Sequence, residues 1–328
     1  MLTDKLSRVS IAHLPTPLEP LPRLTAQLGG PELWVKRDDQ TGLATGGNKA
    51  RKLEYLVAEA LAQGADTLIT AGAAQSNHAR QTAAAAAKFG LGRVLVLRGE
   101  EPPQVQGNLL LDRLLGAEVR WAGDLPLPEA MAQVAEELRA AGRCPYIVPY
   151  GGSNPVGASG YVAAMEELLA QCAERDMRFD HIALASSSGG TQAGLMVGAR
   201  ALGYEGHILG ISVGPRAEAL THRLAGLATA TADHLELDLT FAPEDFAVND
   251  DYLGGGYGVV GELEREAIRT MARSEGILLG PVYTGRACGG LLDLIRRGVF
   301  SPGERVLFWH TGGTAGLFGY STAMWPDQ

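Results

Sequence analysis

A lysine stands in the glycine-rich run Thr45-Gly46-Gly47-Asn48-Lys49-Ala50-Arg51-Lys52, just where an apolar helical pattern begins. Lysine is scarce in this chain: Lys5, Lys36, Lys49, Lys52 and Lys88 are the whole set, and arginine carries nearly all the other positive charge. A lysine kept in such a turn can do amine chemistry that a guanidinium cannot, such as forming a Schiff base. The plain alternative is a solvated loop lysine. The run resembles a nucleotide-binding P-loop only in outline. One residue is inserted before Lys49, and Ala50 stands where a magnesium-binding Ser or Thr is needed, so ATP chemistry is not expected.

A second constellation is Ser186-Ser187-Ser188-Gly189-Gly190-Thr191, between an apolar strand and a helix. Small residues let the backbone approach an anion, and a helix start offers unpaired N–H groups and partial positive charge. Ser188, Gly189, Gly190 and Thr191 can thus cup a phosphate, or the segment is a flexible turn with a hydroxyl cap. No GxGxxG fingerprint is present. At a third turn, Gln75, Ser76, Asn77 and His78 crowd onto a helix start. They can hold a substrate carboxylate with Ser76 as a proton carrier, or Ser76 is simply an N-cap. Two further polar loops are Gly280-Pro281-Val282-Tyr283-Thr284-Gly285-Arg286 and His310-Thr311-Gly312-Gly313. Tyr283 is a phenolic acid/base candidate or a packing residue, and Thr311 follows a buried strand. The seven histidines lack metal-ligand spacing, so no metal site is expected. There is no GxSxG elbow.

These loops need a frame. Short apolar runs at 33–36, 67–70, 94–97, 119–121, 146–148, 182–185, 208–212 and 306–309 read as strands. Between them, residues 48–63, 76–88, 105–115, 128–141, 154–170, 191–202 and 215–225 read as helices. Apolar strands alternating with helices imply an α/β fold with parallel sheets covered on both faces. The 328 residues suit two intimately packed units with a ligand cleft between them. A net charge of −9 argues against nucleic acid and anionic membrane as partners. Cys144, Cys172 and Cys288 are scattered and odd in number, which points to a reducing compartment, and Cys288 reads as a buried thiol. The N-terminus lacks a signal-peptide core and no apolar run reaches spanning length, so a cytoplasmic protein is expected.

Taken in order, Lys36-Arg37-Asp38-Asp39, Gly47-Asn48-Lys49 with Arg51-Lys52-Leu53-Glu54, Gln75-Ser76-Asn77-His78, Gly152-Ser153-Asn154, Pro281-Val282-Tyr283-Thr284-Gly285 and His310-Thr311-Gly312-Gly313 carry a resemblance. From about Leu14 to Tyr320 the chain resembles the pyridoxal-phosphate family of D-cysteine desulfhydrase, 1-aminocyclopropane-1-carboxylate deaminase and L-cysteate sulfo-lyase. The resemblance implies the tryptophan-synthase-β-like fold (fold type II) and a homodimer. It implies a larger cofactor-binding domain of residues 1–46 and 161–328, a smaller α/β domain of residues 47–160, and an active site between them. Lys49 matches the lysine that bonds pyridoxal 5′-phosphate, and Ser188 to Thr191 the phosphate cup. Asn77 matches a residue beside the cofactor ring hydroxyl, Thr311 one near the pyridine nitrogen, and Ser76 one beside the substrate. Tyr283 and Tyr257 match tyrosines facing the substrate.

The ring-opening deaminases resemble one another in having Glu where this chain has Thr284, and Leu where it has Thr311. An anionic Glu favours a protonated pyridinium and a strong electron sink, whereas a threonine hydroxyl does so weakly. Elimination of a good β-leaving group therefore fits better than ring opening, and D-cysteine is the expected substrate. L-cysteate, the cyclopropane amino acid, and a non-catalytic cofactor-binding role are the alternatives. A sulfonate would require a cationic pocket from Arg80, Arg216 or Arg286.

Overall fold

The computed structural model describes residues 2–326; the outermost ends of the expected larger domain, Met1 and Asp327–Gln328, lie outside the described residues. In chain order the first half runs β1 (Leu18–Pro20), α1 (Pro22–Leu28), β2 (Glu32–Arg37), α2 (Lys49–Ala62), β3 (Thr67–Gly72), α3 (Asn77–Lys88), β4 (Gly92–Leu97), α4 (Gly107–Leu114), β5 (Glu118–Trp121), α5 (Leu127–Ala140), β6 (Pro145–Ile147) and α6 (Pro155–Ala173). The second runs β7 (His181–Ser186), α7 (Gly190–Ala201), β8 (His207–Ser212), α8 (Ala217–His234), β9 (Ala247–Asn249), α9 (Glu262–Glu275), α10 (Thr284–Arg296), β10 (Arg305–His310) and α11 (Ser321–Met324).

Two sheets result. One has six strands in the order β1-β2-β10-β7-β8-β9, and the other four in the order β5-β4-β3-β6. Every pairing is parallel except the β1–β2 edge. The alternating faces of β10 show why a parallel strand must be apolar throughout. Val306 and Phe308 pack with Ile268, Met271, Leu291 and Ile295 of α9 and α10. Leu307 and Trp309 pack the other way, with Tyr161, Leu168 and Leu195 of α6 and α7. In the four-stranded sheet, Ile69, Val94 and Val96 meet Met131 and Val134 of α5, while Leu95 and Leu97 meet Ala79, Ala83 and Leu109.

The expected strands and helices are present, with additions. The 215–225 helix continues to His234. Leu224, Ala225, Ala228 and Ala232 supply a buried stripe, and the Thr231 hydroxyl satisfies itself on the Leu227 carbonyl at 2.6 Å. Helix α10 begins inside the segment read as a polar loop at 280–286. Helices α1 and α9 and the three-residue strands β1 and β9 complete the larger sheet and its cover.

A buried ionic knot ties α2 to that sheet. Arg51 donates through Nε and Nη2 to Asp38 at 3.0 and 2.8 Å, and through Nη1 and Nη2 to Glu167 of α6 at 2.9 Å each. Asp38 also accepts from the Tyr161 hydroxyl (2.5 Å), Trp309 Nε1 (2.8 Å) and the Thr16 hydroxyl (2.9 Å). Lys36 donates to Glu167 at 2.5 Å. Burial alone would push the Asp38 carboxyl up, but Arg51 holds it below the ordinary carboxylate value. Removing one member leaves its partners charged and dry. Arg51→Met is therefore expected to cost about 3–5 kcal/mol, read as a lowered urea midpoint at unchanged slope.

Candidate active site

The cavity opens at the carboxyl ends of strands from both sheets, where ligands of α/β folds bind. Its lining includes Asn48, Lys49, Ser76, Asn77, His78, Tyr150, Ser186 to Gly189, Thr191, Tyr283 and Thr311. Lys49 is the first residue of α2, delivered by Gly46 and Gly47, whose φ values are +69° and +127°. A side chain on Gly47 would also strike Gln81 Nε2 at 2.5 Å and the Thr311 carbonyl at 3.2 Å, so glycine is required there. The adjacent Asn48 N–H donates to the Thr311 carbonyl at 3.0 Å, which welds the lysine loop to the end of β10.

Lys49 Nζ donates to the Gly151 carbonyl at 3.0 Å. Lys52, one turn on and on the same face, donates to the same carbonyl at 3.1 Å and to Ser153 Oγ at 3.3 Å. Burial pushes the Lys49 amine down to about 8, and burial followed by repulsion from Lys49 depresses Lys52 well below its ordinary value. Among the described residues, no carboxylate lines this cavity. Two buried amines that face only neutral acceptors form an anion-seeking site.

The loop from Ser186 into α7 lies beside them. Ser188 Oγ and Ser153 Oγ are 2.8 Å apart, and the Gly190 N–H donates to Ser153 Oγ at 3.1 Å. Gly189 has a φ of +98°. A Cβ at Gly190 would come within 2.7 Å of Ser153 Oγ and 2.8 Å of Lys52 Nζ. The Thr191 hydroxyl accepts from Asn48 Nδ2 at 3.0 Å. Glycine backbone, the hydroxyls of Ser153, Ser188 and Thr191, the start of α7 and the Lys52 amine thus form a cradle of donors matched to a phosphate. Lys49 projects into the same cavity, so the residues present fit pyridoxal phosphate.

Among the other expected residues, Ser76 caps α3, its Oγ accepting from the Ala79 N–H at 3.1 Å, and it also lines the cavity. His78 is buried, with Nε2 2.9 Å from the Thr70 hydroxyl. Burial, then Lys49 and Lys52, hold its imidazole well below its usual value, hence neutral. The Tyr283 hydroxyl meets that of Tyr257 at 2.7 Å. Burial holds the Tyr283 phenol well above its ordinary value. Tyr257 stands behind Tyr283 and is not itself part of the lining.

Gln75 is turned away. Its amide donates to the Gln106 carbonyl at 2.9 Å and accepts from the Asn108 N–H at 2.9 Å, fastening the start of α4. Thr284 is also turned away, its hydroxyl accepting from the Gly280 N–H at 2.7 Å and lying 3.2 Å from the Gly312 carbonyl. Of Thr284 and Thr311, only Thr311 lines the cavity. Lys52 and Ser153 fall within motifs of the sequence resemblance that assign them no role, and Tyr150 falls within none. The three-residue spacing of Lys49 and Lys52 is the signal that could have found Lys52.

Known proteins resemble this chain over nearly its whole length. The sequence pattern of the family described as pyridoxal-phosphate dependent enzyme matches residues 9–312. The chain is 44% identical over 322 residues to the D-cysteine desulfhydrase of Klebsiella pneumoniae, covering 96% of this chain and 97% of that protein. It is 41% identical over 332 residues to the 1-aminocyclopropane-1-carboxylate deaminase of Burkholderia vietnamiensis, covering 98% of each. A solved structure of a homologue of that deaminase superposes with a TM-score of 0.90 at 41% identity, covering 98% of this chain and 97% of the other.

The depressed Lys49 amine sets a pH dependence. Only the neutral amine attacks an aldehyde, and it predominates above about 8. The rate at which cofactor-free protein captures pyridoxal phosphate is expected to rise with pH through a midpoint near 8. A stopped-flow pH series checks this; a midpoint near the ordinary lysine value of about 10.4 would contradict it.

Proposed function

The chain belongs to the pyridoxal-phosphate-dependent enzymes, and on that premise we propose that it is a D-cysteine desulfhydrase. It converts D-cysteine and water to pyruvate, ammonia and hydrogen sulfide. The observation that carries this reading is the neutrality of the cavity: beside its lysine, the lining contains no carboxylate and no arginine among the described residues. Thr311, which would hold the ring nitrogen of the cofactor through a hydroxyl rather than a carboxylate, would suit departure of a good β-leaving group more than ring opening. A sulfonate would need a fixed cation, which supports D-cysteine over L-cysteate. Arg80 is buried in bonds to Gly46, Asn77 and Asn108. Arg286 is buried against Glu264 and the carbonyls of Val213, Gly256 and Val259. Arg216 is exposed, 3.6 Å from Asp250. A purely binding role is disfavoured by Lys49, Ser76 and Tyr283 lining one cavity.

Pyridoxal phosphate, when bound, supplies an electron-withdrawing ring that stabilises negative charge at the substrate Cα. In this reading Gly189, Gly190, Thr191, Ser188 and Lys52 hold its phosphate. The N-terminus of α3, with the backbone N–H groups of Asn77 and His78 and the Ser76 hydroxyl, receives the substrate carboxylate. Lys49 takes the Cα proton, because an amine lowered to about 8 keeps a far larger neutral fraction near physiological pH than an ordinary lysine does. Tyr283 stays protonated and so is a poor base. Its hydroxyl, backed by Tyr257, donates a hydrogen bond to the sulfur as it departs as hydrosulfide, and the proton taken up by Lys49 completes hydrogen sulfide. The Cα–H electron pair becomes the Cα=Cβ bond as the Cβ–S bond breaks, and the released 2-aminoacrylate takes up water to give pyruvate and ammonia. The scattered free thiols Cys144, Cys172 and Cys288 support a reducing, cytoplasmic location. No helix among the described residues is long and apolar enough to cross a membrane. The homodimer implied by the sequence resemblance is part of the same proposal.

Two outcomes are expected. In a keto-acid release panel, D-cysteine should give pyruvate faster than L-cysteate does, and faster than 1-aminocyclopropane-1-carboxylate gives 2-oxobutyrate; faster ring opening would overturn the assignment. Tyr283→Phe should lower turnover by about 10²–10⁴ while leaving cofactor affinity, measured by equilibrium dialysis, within about twofold.

A further inference from the structure

Asn77 opens α3 and lines the cavity, but its carbonyl end points away from it. Oδ1 accepts two hydrogen bonds, from Arg80 Nη1 at 3.1 Å and from Asn108 Nδ2 at 3.0 Å. An amide oxygen has two lone pairs, and both are used. The NH₂ end is left for the cavity side, where a Cβ on Gly313 would lie 3.0 Å from Nδ2 and the neighbouring Gly312 is part of the lining.

The two donors are themselves locked. Arg80 Nη2 donates to the Gly46 carbonyl at 2.9 Å, at the root of the Lys49 loop, and Nη1 to Asn108 Oδ1 at 2.5 Å. Asn108 Nδ2 also donates to the Gln75 carbonyl at 2.9 Å, and the Asn108 N–H to Gln75 Oε1 at 2.9 Å. Arg80 and Asn108 have no exposed surface, and neither lines the cavity. A guanidinium cannot accept a hydrogen bond, so the flipped amide would set its NH₂ against Arg80 and its oxygen toward the cavity.

We propose that Arg80 and Asn108 are positioning residues that hold the Asn77 side-chain amide nitrogen-first toward the bound cofactor. This rests on the cavity holding pyridoxal phosphate with Asn77 beside the oxygen substituent of its ring. That oxygen carries negative charge over part of the working pH range. An N–H directed at it stabilises the charged form, and a carbonyl in its place would repel it. Gln75 acquires a role of its own: it does not touch substrate but anchors Asn108.

The test reads the holoprotein without substrate, by the pH midpoint of the cofactor's visible absorption band and the cofactor dissociation constant. Asn108→Ala is expected to raise that constant about three- to tenfold, the range of one neutral hydrogen bond, and to move the midpoint. Arg80→Lys keeps the charge but loses the fork, and is expected to act more strongly, about ten- to a hundredfold. In an Asn77→Ala background, Asn108→Ala should add nothing, because the group it orients is gone. An unchanged band and constant in Asn108→Ala would overturn the proposal. So would a shift that persists undiminished in the Asn77→Ala background, since Asn108 would then act through packing. If Arg80→Lys does not fold, the Asn108 and Asn77 variants decide alone. The substrate does not enter these measurements, so failure of D-cysteine to turn over sinks the substrate assignment and leaves this test standing.

Discussion

The pairing of Arg51 with Asp38 and Glu167 is the interaction on which the cavity depends. Arg51 lies between Lys49 and Lys52 on one helix, so the side of α2 that enters the ionic knot is fixed relative to the side that presents the amines. The knot gathers β2, α6 and β10, so the elements of the larger sheet and the helix that leads to the smaller one share a buried anchor. Such a pair contributes little net stability over an apolar substitute of the same volume. Its value lies in register: a guanidinium fork bound to two carboxylates admits one rotation of the helix, where an apolar contact would tolerate several.

Against that rigid anchor the cavity itself is electrostatically incomplete. Lys52 is buried and Lys49 half-buried, and both are lowered in proton affinity and matched to neutral oxygens. The desolvation cost of the amines is offset only when an anion arrives. The same deficit explains why the Ser188–Thr191 loop is so sparing of side chains. Each atom beyond the backbone would stand between the lysines and the ligand, as the crowding of a Cβ at Gly190 shows.

How legible this was in the sequence depended on where the signal resides. Strands β3, β4, β7, β8 and β10 are continuous apolar runs and declare themselves. Helix α9 buries only Glu264, Ala267, Ile268 and Met271 within a highly charged segment, so its apolar stripe is too thin to read. Helix α10 carries Gly285, Gly289 and Gly290, which lower its helical propensity and leave tertiary packing to decide. Strands β1 and β9, at three residues each, fall below any periodicity. In the site, Lys49 and the glycine cup stand out because their residue types are unusual for their positions. Tyr150 and Ser153 do not, since their meaning comes from folding beside segments distant in sequence. The diversion of Gln75 onto α4, about thirty residues away, is a tertiary fact with no local trace.

The carbonyl of Gly151 accepts from two lysines at once. The covalent cycle proposed for Lys49 requires that its nitrogen leave one partner for another and later return. Were Gly151 served by Lys49 alone, each departure would strand a buried acceptor, and the chain at 150–153 would have to shift to find water. With Lys52 already in place, the acceptor stays satisfied throughout. The site can exchange its covalent partner while its own backbone stands still.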